Sequence, residues 1–327
     1  MIRLKQKWLK FLSAIALGTI FVIFLQGLKA SPTLASSTTI TAEANPTGSL
    51  YFSIFEAIVL GMVQGLTEFI PISSTAHLKA VPVLLGWGDP GVTITAVIQL
   101  GSIAAVLWYY REKISKLLFG AIKAIQESNY QSLDFKISLG IFFGTFPIAI
   151  IGLLLKASGI YTDDSPIRSM GAIAVASIVM ACLLALAEKI GNRKRDFSNL
   201  STKDGILMGL AQTLAIIPGV SRSGSTITAG LFRGLERPTA GDFSFLLGIP
   251  AITLAGIVEL KDAFDQQIAP QEWLTLIIGV ISAAIFSYLA IAWLINYLKN
   301  HNTWIFVWYR LGFGLLILGL IASGIEF

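Results

Sequence analysis

The chain has 327 residues, 54% hydrophobic and 13% charged, with a formal net charge of +5 and a mean hydropathy of +0.74. Its charged fraction is about half that of a typical soluble domain, roughly 25%, and its apolar residues fall in runs long enough to cross a bilayer, which excludes a soluble globular fold. The positive balance does not indicate nucleic acid: the basic residues cluster in short stretches beside apolar spans, where the positive-inside bias puts them, and no basic stripe with interleaved aromatics occurs. The single cysteine, Cys182, lies in the apolar run AVASIVMACLLALA, which excludes an intrachain disulfide or thiolate metal cluster and reads as a packing position.

In chain order, Arg3, Lys5, Lys7 and Lys10 precede an apolar run from Phe11 to Leu28. Residues 1–35 therefore read as a signal peptide or an N-terminal anchor helix, 36–50 as a flexible Ser/Thr/Ala-rich linker, and 51–327 as an integral membrane domain.

Within that domain the basic stretches WYYREKISK at 108–116 and EKIGNRKR at 188–195 belong on the cytoplasmic side, and the acidic turns GDPG at 88–91 and YTDDSP at 161–166 outside. Spanning helices follow at about 92–110, 137–155 and 167–187, and the segment 54–87, interrupted at Pro71, must enter the membrane and return. Residues 203–237 form a second such hairpin from the opposite face, interrupted at Pro218-Gly219, and about 240–260, 272–297 and 304–323 cross again. The expected fold is an all-α polytopic membrane protein: an inverted repeat of one re-entrant helical hairpin plus three transmembrane helices per half, about 51–190 and 203–327. GMVQGLTEFIPISSTAH from Gly61 and GLAQTLAIIPGVSRSGST from Gly209 share Gly-x-x-Gln, an apolar stretch, then Pro followed by Ser- and Thr-rich sequence.

Both breaks are hydroxyl-rich inside apolar surroundings. Unpaired polar groups are costly in hydrocarbon and irregular backbone survives there only when buried in protein or lining a wet cavity, so the breaks mark a site near the midplane. Ser74 and His77 lie three apart on one helical face, where the imidazole can act as general base or as nucleophile. Gln64 and Glu68 lie four apart on the preceding half-helix, and Glu68 can orient His77 or hold a metal ion. In the second break, Gly219 and Gly224 permit tight turns that aim backbone N–H groups at an anion, Arg222 can fork across phosphate oxygens, and Ser221, Ser223 and Thr226 supply neutral donors. A lone Ser73 or Ser225 would read as a hydroxyl bonded back to its own helix. The set as a whole spells phosphoryl transfer. Glu56, Glu259 and Asp242 read as interfacial, and His301 as an exposed turn residue.

QGLTEFIPISSTAH and PGVSRSGST resemble the two signature motifs of the undecaprenyl-pyrophosphate phosphatase, or bacitracin-resistance, family: (Glu/Gln)-x-x-x-Glu and Pro-Gly-x-Ser-Arg-Ser-x-x-Thr. The resemblance covers about residues 50–327. It implies hydrolysis of the C55 polyprenyl diphosphate to the monophosphate, recycling of the lipid carrier for peptidoglycan synthesis, bacitracin resistance, a periplasm-facing site in the bacterial cytoplasmic membrane, and stimulation by a divalent cation, Mg2+ or Ca2+. The acidic motif falls on Gln64 and Glu68, the serine-histidine element on Ser73, Ser74, Thr75 and His77, and the arginine motif on Gly219, Ser221, Arg222, Ser223 and Thr226. Many members carry Glu where this chain has Gln64, so here Glu68 is the one carboxylate left for a metal bridging the substrate's diphosphate.

The expected mechanism is in-line attack by Ser74, with His77 as base, Glu68 orienting His77 or a magnesium ion, and Arg222 stabilising the phosphoryl oxygens. A rival makes His77 the nucleophile, and a rival of another class is a polyprenyl-phosphate transporter or flippase. Expected partners are the polyprenyl diphosphate, membrane lipids and, as an open alternative, a second copy of the chain.

Overall fold

A computed structural model describes residues 54–158, 165–265, 270–325 and 327. The signal-or-anchor segment 1–35, the linker 36–50 and most of the YTDDSP turn lie outside the described residues. Val81–Asp89 falls outside the larger compact unit, residues 52–80 with 90–327, which contains every side chain of the site described below.

Hydropathy and helix signals produce ten α-helices among the described residues: α1 Ile54–Glu68, α2 Ser74–Leu84, α3 Gly91–Gln126, α4 Leu133–Ala157, α5 Met170–Ile190, α6 Thr202–Gln212, α7 Arg222–Phe232, α8 Arg237–Asp265, α9 Pro270–Asn300 and α10 Trp304–Ala322. Small polar residues start several of them. Ser132 and Ser169 cap α4 and α5, and Ser201 forms a capping box with Asp204 at α6. The only extended pairing among the described residues is an isolated bridge between Arg195 and Leu235.

Five helices, α4, α5, α8, α9 and α10, contain stretches long and apolar enough to cross a membrane, and the protein is a multi-pass membrane protein. The sequence reading counts six crossings. The sixth helix, α3, continues straight through the basic stretch expected to be a loop, because nothing between Trp108 and Gln126 breaks a helix. Its 36 residues extend about 54 Å at 1.5 Å per residue. Exposed Trp108, Phe119, Phe142, Leu154, Ile257 and Trp308 present the apolar outer surface that hydrocarbon accepts. Cys182 is exposed on α5 rather than packed inside.

In lipid, close approach of backbones replaces the hydrophobic drive between helices, and small residues four apart supply it. Gly61 and Gly65 of α1 lie against the backbone of α9, and Gly205 and Gly209 of α6 against Gly140 and Gly144 of α4, with no room for a Cβ. The remaining neighbours include α5 with α10, α3 with α8, α3 with α9 and α4 with α8. Exchanging α1–α5 with α6–α10 maps these pairings onto one another. The breaks between α1 and α2 and between α6 and α7 lie inside this frame, with Phe69 of the first packed edge-on against Phe245 of α8 at 5.2 Å.

Two ion clusters fasten helix ends. Glu188 receives Arg237, Arg193 and the Thr303 hydroxyl, while Asp204 receives Arg195 at 2.5 Å and Arg233 at 3.0 Å. Asp242 accepts the Tyr110 hydroxyl at 2.7 Å and the Lys113 ammonium at 3.0 Å, joining α3 to α8. His301 is exposed, as expected, and stacks on Tyr297.

Candidate active site

Each break ends in a serine with positive φ: Ser73 at 77° and Ser221 at 71°. Such backbone costs on the order of 1–3 kcal/mol at a non-glycine residue and persists only where the surroundings enforce it. Both serines immediately precede a helix, so Ser74 opens α2 and Arg222 opens α7. The Ser221 hydroxyl accepts the Gly224 N–H at 3.1 Å and caps α7. Gly219, at φ 91°, lies so close to the Ile173 backbone that any side chain would collide.

The breaks meet. The Ser223 hydroxyl donates to the Ile70 carbonyl at 3.3 Å, and the Arg222 guanidinium lies 3.6 Å from the Glu68 carboxylate, both side chains nearly enclosed at 9% and 8% exposure. Glu68 Oε2 accepts from the Gln64 amide at 3.1 Å and from the Ser74 hydroxyl at 2.7 Å. Gln64 is held in turn by Ser102 at 3.3 Å, and Ser102 by Ser287 at 2.8 Å.

The Ser74 to His77 hydrogen bond expected from their shared helical face is not formed. His77 Nδ1 lies 2.7 Å from the Ser73 carbonyl, which can only accept, so Nδ1 carries the proton. Nε2, 2.6 Å from the Tyr309 hydroxyl, is then the acceptor in the neutral ring. The ring stacks on Phe313 at 4.6 Å between centroids and lies near-parallel to Tyr309 at 5.6 Å. Its one lone pair is occupied by Tyr309, and the group in contact with Ser74 is Glu68.

Arg222 is only partly satisfied. Nη1 reaches the Ser244 carbonyl at 3.5 Å and Nη2 faces Glu68 at 3.6 Å, too long for a hydrogen bond, while Nε is buried with no hydrogen-bond partner among the described residues. The guanidinium lies directly on Gly248 of α8, whose missing side chain makes room for it. Orphaned donors on a buried cation are costly, and an anionic ligand removes the cost.

The remaining expected residues divide. Ser73 is buried, and its carbonyl serves His77. Ser221 and Ser223 share a 3.2 Å contact beside the second break. The Thr226 hydroxyl donates back to the Arg222 carbonyl at 2.8 Å and contacts Ser244 at 2.5 Å, so it seats α7 on α8. Thr75 is exposed and outside the buried cluster. The sequence reading missed Tyr309, Arg310, Ser244 and Gly248. For Arg310 a signal existed, a charge in the middle of the apolar run IFVWYRLGFGLLILGLIA; for the others none did.

The family model described as bacitracin resistance protein BacA matches residues 57–316. The undecaprenyl-diphosphatase of Trichormus variabilis is 58% identical over 322 residues, covering 98% of both chains. That of Synechocystis sp. is 56% identical over 320 residues, 97% of this chain and 98% of its own. Over a shorter stretch, 84% of this chain, the undecaprenyl-diphosphatase of Trichodesmium erythraeum is 60% identical.

Proposed function

The chain belongs to the bacitracin resistance protein BacA family, and on that premise we propose that it hydrolyses undecaprenyl diphosphate to the monophosphate and phosphate. The observation that carries this reading is the buried Arg222 guanidinium, with Nε unpartnered, Nη2 facing Glu68 only across 3.6 Å, and the Ser74–Glu68 pair beside it.

In the proposed reaction the terminal phosphoryl group lies between Arg222 and Ser74. Ser74 Oγ attacks phosphorus, its proton passes to Glu68 and on to the bridging oxygen as the P–O bond breaks, and the polyprenyl monophosphate leaves with Glu68 again ionised. Water then hydrolyses the phosphoserine, with Glu68 accepting the water's proton and returning it to Ser74. Arg222 and the first N–H groups of α7 stabilise charge on the equatorial oxygens. The geometry supports Glu68 rather than His77 as the base; the imidazole would serve only after its Nε2 left Tyr309. As drawn, His77 braces the strained Ser73 carbonyl just before the nucleophile.

Among the described residues no cluster of three His, Cys, Asp or Glu side chains could hold a metal ion. The donors present fit a divalent cation carried on the substrate's diphosphate, with Glu68 as its one carboxylate ligand; Mg2+ or Ca2+ there would reduce the charge repelling the nucleophile. We place the protein in the bacterial cytoplasmic membrane with the site open to the periplasm, recycling the cell-wall lipid carrier and lowering bacitracin sensitivity.

The exchange-symmetric helix pairing also supports an inverted repeat and with it the second reading, a polyprenyl-phosphate transporter. Phosphate release from undecaprenyl diphosphate by purified protein in detergent, with and without chelator, separates the two. Hydrolysis is expected; tight lipid-phosphate binding without hydrolysis in either condition would favour the transporter.

A further inference from the structure

Arg310 lies within α10 and is 1% exposed, a placement that is expensive in a membrane protein and calls for a compensating interaction. It has no ion pair to a carboxylate among the described residues. Its donors go to three carbonyls on three different parts of the chain: Nη1 to Pro71 in the first break at 3.0 Å, Nη2 to Gly219 in the second at 2.7 Å, and Nε to Ser177 on α5 at 3.2 Å. The Ser177 hydroxyl returns a bond to the Arg310 carbonyl at 3.4 Å. Pro71 and Gly219 both lie where helical bonding is interrupted, so their carbonyls need an outside donor. Each stands three residues ahead of a side chain of the proposed chemistry: Pro71 before Ser74, Gly219 before Arg222.

We propose that Arg310 is a positioning residue that clamps the two breaks together, its planar guanidinium fixing the separation between the Ser74–Glu68 pair and Arg222. Two of its donors tie the halves of the site to each other and the third ties both to α5. The adjacent Tyr309 holds His77 from the same turn of α10, so one turn of one helix registers the imidazole and both breaks. A fork of fixed shape suits this task, and an ammonium, with one charged nitrogen on a flexible stem, cannot reach three carbonyls on different elements at once. The catalytic consequence rests on the phosphatase reading; the clamp itself does not.

The test uses full-length protein in detergent, comparing wild type, Arg310→Lys and Arg310→Met. Hydrogen exchange read by mass spectrometry should show faster exchange in both variants over residues 69–75 and 217–224 together, with the α4 segment 137–153 unchanged. On undecaprenyl diphosphate, Arg310→Lys should lose at least 10-fold in kcat while KM changes less than threefold, because alignment is lost and the phosphate contacts are not. Exchange that rises in only one break, or throughout the protein, would overturn the clamp, as would a wild-type kcat in Arg310→Lys. A wild-type protein that releases no phosphate would defeat the phosphatase reading, and the exchange measurement would still decide the clamp.

Discussion

Ser74 Oγ donates to Glu68 Oε2 at 2.7 Å across the first break, and Glu68 also faces Arg222 of the second break at 3.6 Å. One carboxylate therefore touches both the proposed nucleophile and the proposed phosphate ligand. Glu68→Gln keeps the size and hydrogen-bonding capacity of the side chain but removes its basicity. A positioned general base contributes about 100- to 10,000-fold, and kcat should fall within that range. A loss below fivefold at the pH of maximal activity would remove Glu68 from the role of base.

The Tyr309 hydroxyl occupies the lone pair of His77. If His77 were the base for Ser74, Tyr309→Phe would free that lone pair and leave activity intact or raise it. With His77 as a brace, Tyr309→Phe should lower kcat by up to about 10-fold, the worth of one hydrogen bond of roughly 0.5–1.5 kcal/mol. Rapid-quench trapping with labelled terminal phosphate adds the nucleophile: wild type should form a phosphoserine and Ser74→Ala no phosphoenzyme. An acid-labile phosphohistidine in Ser74→Ala would reassign attack to His77.

Arg222→Lys keeps the charge and loses the fork, and removal of one such transition-state donor costs about 100-fold or more in rate. Gly248→Ala reaches the same guanidinium from α8, since a Cβ there would occupy its place. This variant should fold with an unchanged melting profile, yet weaken inhibition by inorganic phosphate and lower kcat/KM at least 10-fold. Wild-type kinetics in Gly248→Ala would mean that Arg222 does not rest on that surface when substrate is bound.

Away from the site, burial works to raise the Asp204 pKa, but hydrogen bonds from Arg195, Ser201 and Arg233 outweigh it and hold the carboxyl down at about 2. A depressed carboxyl contributes stability fully present above its ordinary pKa, and that contribution is lost as pH falls from about 4 towards 2. Acid titration of the melting temperature should show a decline in this window that is smaller in Asp204→Asn. At neutral pH the variant should melt on the order of 5 °C lower, because two arginines lose their partner. Equal acid sensitivity in both proteins would show that the cluster does not govern acid stability.

Hydropathy and punctuation, both local, were sufficient for the all-helical membrane plan: the apolar runs became α4, α5, α8, α9 and α10, and Pro71 and Pro218 marked the two interruptions, because a helix cannot continue where its hydrogen bonds fail. The motif residues Glu68, Ser74, His77 and Arg222 were legible for a related reason, since polar groups in hydrocarbon require an explanation at the level of sequence. The end of α3 was misplaced because charge alone does not stop a helix. Side-chain pairing was decided only in three dimensions. Nothing local shows that Ser74 turns to Glu68 instead of His77, that Tyr309 caps an imidazole 232 residues away, or that Arg310 reaches Pro71 across 239 residues. Those contacts depend on how α10 and α8 pack against the breaks, and helix packing follows from the surfaces of whole helices, which no short motif contains.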